Sequence, residues 1–201
     1  HFKCCGDGYL DLNDPDDEET RRYIASNLLK EYIDTNFPNN NVIVLGDLND
    51  ILTDDSENNV FQMIINDTEN YLFADMEIAE GSSSEWSYPW WPSHIDHILI
   101  TNELFDEFEN NSSEVQTIKI DEYMDGGFDE YYENISDHRP VAMKLEFITS
   151  SNGDVNEDGV TDIFDLIIVV DFILGNQNPT PSQFAATDLN NDNVIDVFDV
   201  V

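Results

Sequence analysis

Two short stretches, "GDVNEDGVTDIFD" and "TDLNNDNVIDVFD", are one pattern written twice, with first aspartates at Asp154 and Asp188, 34 positions apart. An internal repeat of this size constrains a chain more than any single segment, because each copy must build the same small unit. In the first copy Asp154, Asn156 and Asp158 occupy positions 1, 3 and 5, Gly159 position 6, Val160 position 7 and Asp165 position 12. Calcium takes about 6–8 oxygen ligands at about 2.3–2.6 Å, which alternate side chains of a tight loop plus one backbone carbonyl supply. The second copy repeats the set with Asp188, Asn190, Asp192, Val194 and Asp199, and Asn193 stands where the first has glycine. Asparagine is among the few residues that tolerate positive φ, so the turn survives. Both loops predict Ca²⁺ sites.

The paired loops resemble a type I dockerin, a duplicated calcium loop–helix module. The resemblance implies a small all-α domain over 154–201, preceded by a linker at 149–153, "TSSNG", with a cohesin-type module as partner. It also implies extracellular placement in a secreted bacterial protein and, by association, a polysaccharide-degrading system. "DIFDLIIVVDFILG" supplies the first helix, expected over Asp165 to Leu174, with Pro179 and Pro181 in the connection between repeats. The second repeat reaches Val201 where its helix would begin, so the module reads as cut short. Loop positions 10 and 11, which contribute to partner choice in that family, are Ile163–Phe164 and Val197–Phe198. These apolar pairs, like the apolar helix, fit either a greasy docking face or packing between the repeats.

Charge bounds the rest. Forty-four acidic against seven basic residues give a formal net charge of −37, and no basic residue follows Lys144. Such a chain repels nucleic acid and anionic membrane unless cations intervene, and it has no basic stripe to track a phosphate backbone. The charge fits adaptation to salt or divalent cations, and it fits a set of cation sites. No run of about 18 apolar residues crosses a membrane. Cys4 and Cys5 are neighbours, a spacing that seldom forms a bond, and their state stays open.

Before the linker the pattern is that of an α/β domain. Ile24, Leu28 and Tyr32, with Ala25, Leu29 and Ile33 beside them, predict an amphipathic helix from Asp16 to about Asn36, opened by "NDPDDEE". "NVIVLGDLND" predicts a buried strand, Val42 to Leu45, turning at Gly46. A helix near Val60 to Ile65 and strands near Leu72 to Met76, Ile95 to Ile100, Val115 to Ile120 and Pro140 to Ile148 follow. "DEYMDGGFDEYYEN" reads as a polar, aromatic loop.

One strand carries a problem. In "PSHIDHILIT" Asp96 sits inside an apolar run, and a buried carboxylate costs several kcal/mol, of order 2–7 or more, without a partner. Polar residues also end the strands at "LGDLND" and "ISDHRPV", where α/β folds place their ligand crevices. The order His1, Gly46-Asp47-Leu48-Asn49, Ile95-Asp96-His97, then Ser136-Asp137-His138-Arg139-Pro140-Val141 resembles the C-terminal half of the endonuclease/exonuclease/phosphatase superfamily.

That resemblance, over 1–148, implies part of a four-layer α/β sandwich and a divalent-metal-dependent phosphoesterase, most simply a phosphodiesterase or nuclease. It implies that His138 meets Asp96 and handles the proton of the attacking water, and that Asp137 helps to hold Mg²⁺ or Mn²⁺. Asp47 would orient the water or the metal, Asn49 would bond a phosphate oxygen, and His1 would stabilise developing negative charge. The substrate would be a phosphodiester of nucleic acid, lipid or small-molecule type. The family's early Asn and metal-binding Glu would precede His1, so the expectation is either a piece of a longer enzyme or an inactive relative.

Alternation along a strand turns His97 away from Asp96. "WSYPWWP", Trp86 to Pro92, fits either a substrate-stacking rim or the hydrophobic cover of the site. The reading of a different class is a non-catalytic dockerin-bearing assembly component.

Overall fold

The computed structural model describes residues 1–110, 112–146, 153–190 and 192–200. They fall into two compact units, His1–Glu146 and Phe147–Val201. Most of the expected linker, 149–152, and the end of the expected Pro140 to Ile148 strand lie outside the described residues.

The first unit is mixed α/β. Its elements are α1 (Glu18–Asn36), β1 (Ile43–Asp47), α2 (Gln62–Ile65), β2 (Tyr71–Phe73), α3 (Met76–Glu80), β3 (Asp96–Thr101), α4 (Phe105–Glu109), β4 (Glu114–Thr117), α5 (Gly127–Asn134) and β5 (Val141–Lys144). β3 runs between β1 and β2, antiparallel to both, and β4 pairs antiparallel with β5.

The two faces of β3 build two cores. Leu99 packs with Ile33, Leu48, Val60, Phe61, Ile64 and Phe73 under α1 and α2, and the His97 ring stands edge-on to Phe61 and Phe73. Ile98 and Ile100 pack the other way against Leu104, Val115, Val141 and Met143, so the second sheet covers that face. Period-two alternation in six residues thus joins helices, sheet and sheet.

Helix α1 begins at Asp17, whose carboxylate accepts a hydrogen bond from the Thr20 N–H at 2.7 Å. The expected apolar stripe corrects here: Ile24, Leu28 and Tyr32 are exposed, and the buried side carries Arg22, Ser26 and Ile33. The reason is electrostatic. Arg22 is 3% exposed and bonds Asp50 through Nε at 2.8 Å and Glu19 at 3.1 Å. Its Nη1 donates to the carbonyls of Lys3 and Cys5 at 2.8 and 2.7 Å. A guanidinium buried among these acceptors sets the rotation of the helix, and it straps the N-terminal segment to the unit.

Three further expectations shift. Strand β1 is not buried: Ile43 and Leu45 are exposed, Leu45 at 70%, since β1 edges its sheet and pairs with β3 alone among the described residues. β2 ends at Phe73, and Met76 opens α3. The expected polar loop "DEYMDGGFDEYYEN" holds a 3-10 turn, Ile120–Tyr123, and α5. Gly127 enters α5 with φ of 59°, which glycine adopts freely, and Tyr131 buries its ring while its hydroxyl donates to the His138 carbonyl at 2.9 Å.

The second unit is all-α, with α6 (Ile163–Ile173), α7 (Pro181–Thr187) and a 3-10 turn, Val197–Val200. Its core is Val155, Val169, Phe172 and Ala186. The connection expected around Pro179 and Pro181 holds α7: Pro181 takes the first helical turn, where its missing N–H costs nothing, and Thr180 and Gln183 form a capping box.

Replacing Arg22 with alanine strands Asp50 and Glu19 as unpaired charges. We expect a loss of about 3–5 kcal/mol in urea unfolding; a loss below about 1 kcal/mol would show that the strap is dispensable.

Candidate functional site

Asp96 opens β3 and Asp47 ends β1, and the antiparallel register sets the two opposite each other. The loop after α5 brings His138 to the same end. The carboxylates of Asp47 and Asp96 and the imidazole of His138 converge, with one ligating atom from each within 4.8 Å of the others.

The partner of Asp96 is His138: Nδ1 lies 2.7 Å from Oδ2, with both side chains about one-fifth exposed, 20% and 24%. Burial pushes the Asp96 carboxyl up, but hydrogen bonds from His138 and Ser87 and the His138 charge hold it below the usual range. His138 is raised above its ordinary 6.5, first by the hydrogen bond to Asp96, against burial, with the charges of Asp96, Asp47 and Asp137 adding to it. Asp47 is raised by burial and by the Asp96 charge, against the Asn49 N–H and His138. Two carboxylates so close leave a site that favours a cation.

The other residues singled out in the sequence gather around these three. His1 is exposed and sets Nδ1 3.2 Å from Asp47 Oδ2. Asn49 adopts φ of 54°, donates its N–H to Asp47 Oδ1 at 2.9 Å and bonds the Phe2 carbonyl through Nδ2 at 3.2 Å. Phe2 in turn donates to the Asp47 carbonyl at 2.9 Å, so His1 is held by the segment that Arg22 straps down. Asp137 is exposed beside the cluster and acts on His138 through its charge. Cys4 and Cys5 are free thiols, with Sγ atoms 2.9 Å apart. A cavity of about 560 Å³ opens elsewhere, beside Leu72, Ile78, Phe108 and Val115, and none of the site residues lines it.

Sequence reasoning missed a buried cluster behind the site. Asp75 Oδ2 meets His97 Nδ1 at 2.6 Å and His94 Nε2 at 3.0 Å, and its Oδ1 accepts from the Ile98 N–H at 2.7 Å. All three residues are almost wholly buried. Burial pushes Asp75 up, yet the two histidines, the His97 charge and the Ile98 amide hold it well below the usual carboxylate range. Ser87 joins this cluster to the site. Its N–H donates to His94 Nδ1 at 3.2 Å, its hydroxyl oxygen accepts from the Ile95 and Asp96 amides at 3.3 and 3.2 Å, and its carbonyl accepts from the Arg139 N–H at 2.7 Å. The available signal was the pair His94 and His97, three residues apart at the entry to β3, which strand alternation alone would put on opposite faces.

In the second unit the two loops repeat one hydrogen-bond scheme. Asp154 Oδ1 and Oδ2 accept from the Asp158 and Gly159 N–H groups, as Asp188 accepts from Asp192 and Asn193. Asn156 accepts from Asp158 and Asn190 from Asp192, each at 2.9 Å, and Asp158 and Asp192 accept from Val160 and Val194. Asp165 closes the first loop on Val155 and Asn156, and Asp199 closes the second on Leu189. Asn193 takes φ of 63°, the left-handed turn expected of it. The pairs Ile163–Phe164 and Val197–Phe198 are exposed.

Because folding raises His138, its pair with Asp96 stabilises fully below about pH 6.5, and that contribution disappears as pH rises through the raised value. An NMR titration under chelator should find His138 above 6.5, and Asp96→Asn should bring it down; an unchanged midpoint in the variant would refute the pairing.

Residues 152–201 match the family model described as the Dockerin type I domain. No curated protein and no solved structure matches the chain. The duplicated loops and this match agree: residues 152–201 are a dockerin type I domain, a calcium-binding module whose partner is cohesin-type.

Proposed function

We propose that the first unit hydrolyses phosphoesters, most simply phosphodiesters, with a divalent metal, and that the dockerin attaches it to a cohesin-bearing extracellular assembly. The observation that supports this reading is the 2.7 Å pair of Asp96 and His138 set beside Asp47 at adjoining strand ends. Its order along the chain fits the C-terminal half of a four-layer sandwich. No helix among the described residues is long and apolar enough to cross a membrane.

Nδ1 of His138 faces Asp96, which leaves Nε2 for a water molecule. In the proposed step the water oxygen bonds to phosphorus as the ester P–O bond breaks. Nε2 takes the water proton, and the leaving oxygen is protonated by solvent. Asp96 orients the imidazole and stabilises its cation. Asn49 and His1, both beside Asp47, would bond the phosphate oxygens, where charge develops.

The donor set fits Mg²⁺ or Mn²⁺. Asp47 is raised partly by the Asp96 charge, so a hard cation held by Asp47 and exposed Asp137 would relieve the repulsion. Such an ion would supply charge neutralisation at the phosphoryl group. A non-catalytic assembly component is the second reading, and the dockerin match favours it, since that module alone secures attachment.

Hydrolysis of bis-p-nitrophenyl phosphate and plasmid DNA with Mg²⁺ separates the two. His138→Ala should lower the rate by about 10²–10⁴-fold and leave cohesin binding intact. A folded protein that hydrolyses nothing would leave the attachment reading alone.

Calorimetry should find two Ca²⁺ bound per chain, with Asp165→Ala and Asp199→Ala each removing one and chelator abolishing cohesin capture. Retention of both ions in either variant would overturn the assignment of position 12.

A further inference from the structure

The segment 86–93 leaves its aromatic residues in two unlike environments. Trp86 is anchored, its indole N–H donating to the Ile78 carbonyl at 3.0 Å. Tyr88 and Ser93 exchange backbone hydrogen bonds at 3.0 and 3.2 Å, which closes the segment into a hairpin. Trp90 and Trp91 stand at its tip, 58% and 77% exposed. A hydrophobic cover would bury these rings, and this one leaves them in water.

The base of the hairpin reaches the site. The Tyr88 ring lies 4.9 Å from the His138 imidazole, tilted by 37°. Trp90 follows two residues later, so its backbone is at most about 7 Å further on. Its indole stacks on Tyr132 at 4.9 Å and 17°. Tyr132 belongs to α5, which Tyr131 ties to the His138 carbonyl. Both rings of the stack are therefore fastened to the backbone that positions His138.

The shape of this surface selects its ligand. Two nearly parallel rings form a slab with an open face, which suits a flat partner; a quaternary ammonium needs rings set around it as a box. Charge points the same way. Arg139, next to His138, is held by both oxygens of Asp121 and donates to the Ser84 carbonyl, so its guanidinium is committed away from an anionic ligand.

Resting on the phosphoesterase reading, we propose that Trp90 and Tyr132, with Tyr88 as the link to His138, form a stacking subsite for an uncharged ring carried on the substrate phosphate. The ring is a nucleobase or a pyranose, and the two sources share the flat, uncharged face that the slab recognises.

A set of ligands sharing one phosphate and differing in the group attached tests this: methyl phosphate, thymidine 5′-monophosphate, glucose 1-phosphate and phosphocholine. Affinities come from calorimetry, and the Trp90 indole shift is followed by NMR, so neither readout depends on turnover. At least one ring-bearing ligand should bind roughly tenfold or more tightly than methyl phosphate, in keeping with the usual strength of base stacking on an aromatic. Trp90→Ala and Tyr132→Ala should each erase that advantage, and the thymidine and glucose arms identify the ring. Equal binding of methyl phosphate and both ring ligands, an advantage that survives both variants, or a preference confined to phosphocholine would overturn the subsite. So would binding to phosphatidylcholine vesicles through Trp90 and Trp91 without any ring preference, which would make the tip a membrane contact. Absence of hydrolysis by the intact, folded protein with ring binding present would sink the phosphoesterase reading and leave the subsite.

Discussion

Strand β3 places two ionisable residues side by side, and alternation forces them onto opposite faces. Asp96 turns toward the second sheet and the open strand ends; His97 turns into the core under α1 and α2. Neither can stay unpaired, because a buried charge without a partner costs more than a strand of this length recovers by packing. Each face therefore carries its own acid–imidazole pair, Asp96 with His138 at 2.7 Å and Asp75 with His97 at 2.6 Å. Ser87 bonds the Asp96 amide and His94, which in turn meets Asp75, so the buried cluster braces the partly exposed pair.

The same logic governs the N-terminal segment. Arg22 turns the polar side of α1 inward, and its Nη1 hydrogen bonds to the Lys3 and Cys5 carbonyls hold residues 1–5 against the unit. His1 reaches Asp47 because of that strap, and Asn49 adds the Phe2 carbonyl as a second fastening. A helix residue 21 positions from His1 thus decides whether the exposed imidazole stands at the site. This is a packing constraint with a chemical consequence.

Local pattern was a good guide wherever burial and periodicity agree. The strand through Ile98 to Ile100 and the twin loops of the dockerin were legible, because an apolar run or ligand spacing alone specifies them, and α1 was legible as a helix but not in the face it buries. Long-range choices were not. Ile24, Leu28 and Tyr32 look like a core stripe until Arg22 claims the inner face, and Leu45 looks buried until β1 proves to be an edge strand. In the site, the meeting of Asp96 with His138 was legible from motif order, whereas Asp75 gave no local sign: it lies between β2 and α3 and is defined only by the histidines that fold onto it. Likewise "WSYPWWP" left rim and cover undecided, because the exposure of Trp90 and Trp91 depends on the hairpin that Tyr88 and Ser93 close.

In the dockerin the repeated carboxylates gather in loops where calcium can neutralise them; in the first unit Asp47 and Asp96 meet His138 at adjoining strand ends. The central claim is that Asp96 acts through His138. A double-mutant cycle on Mg²⁺-dependent hydrolysis of bis-p-nitrophenyl phosphate tests it most directly, using Asp96→Asn, His138→Ala and the pair. The account predicts that the double variant is no slower than His138→Ala alone. Losses that multiply, or single variants that keep the full rate, would contradict it.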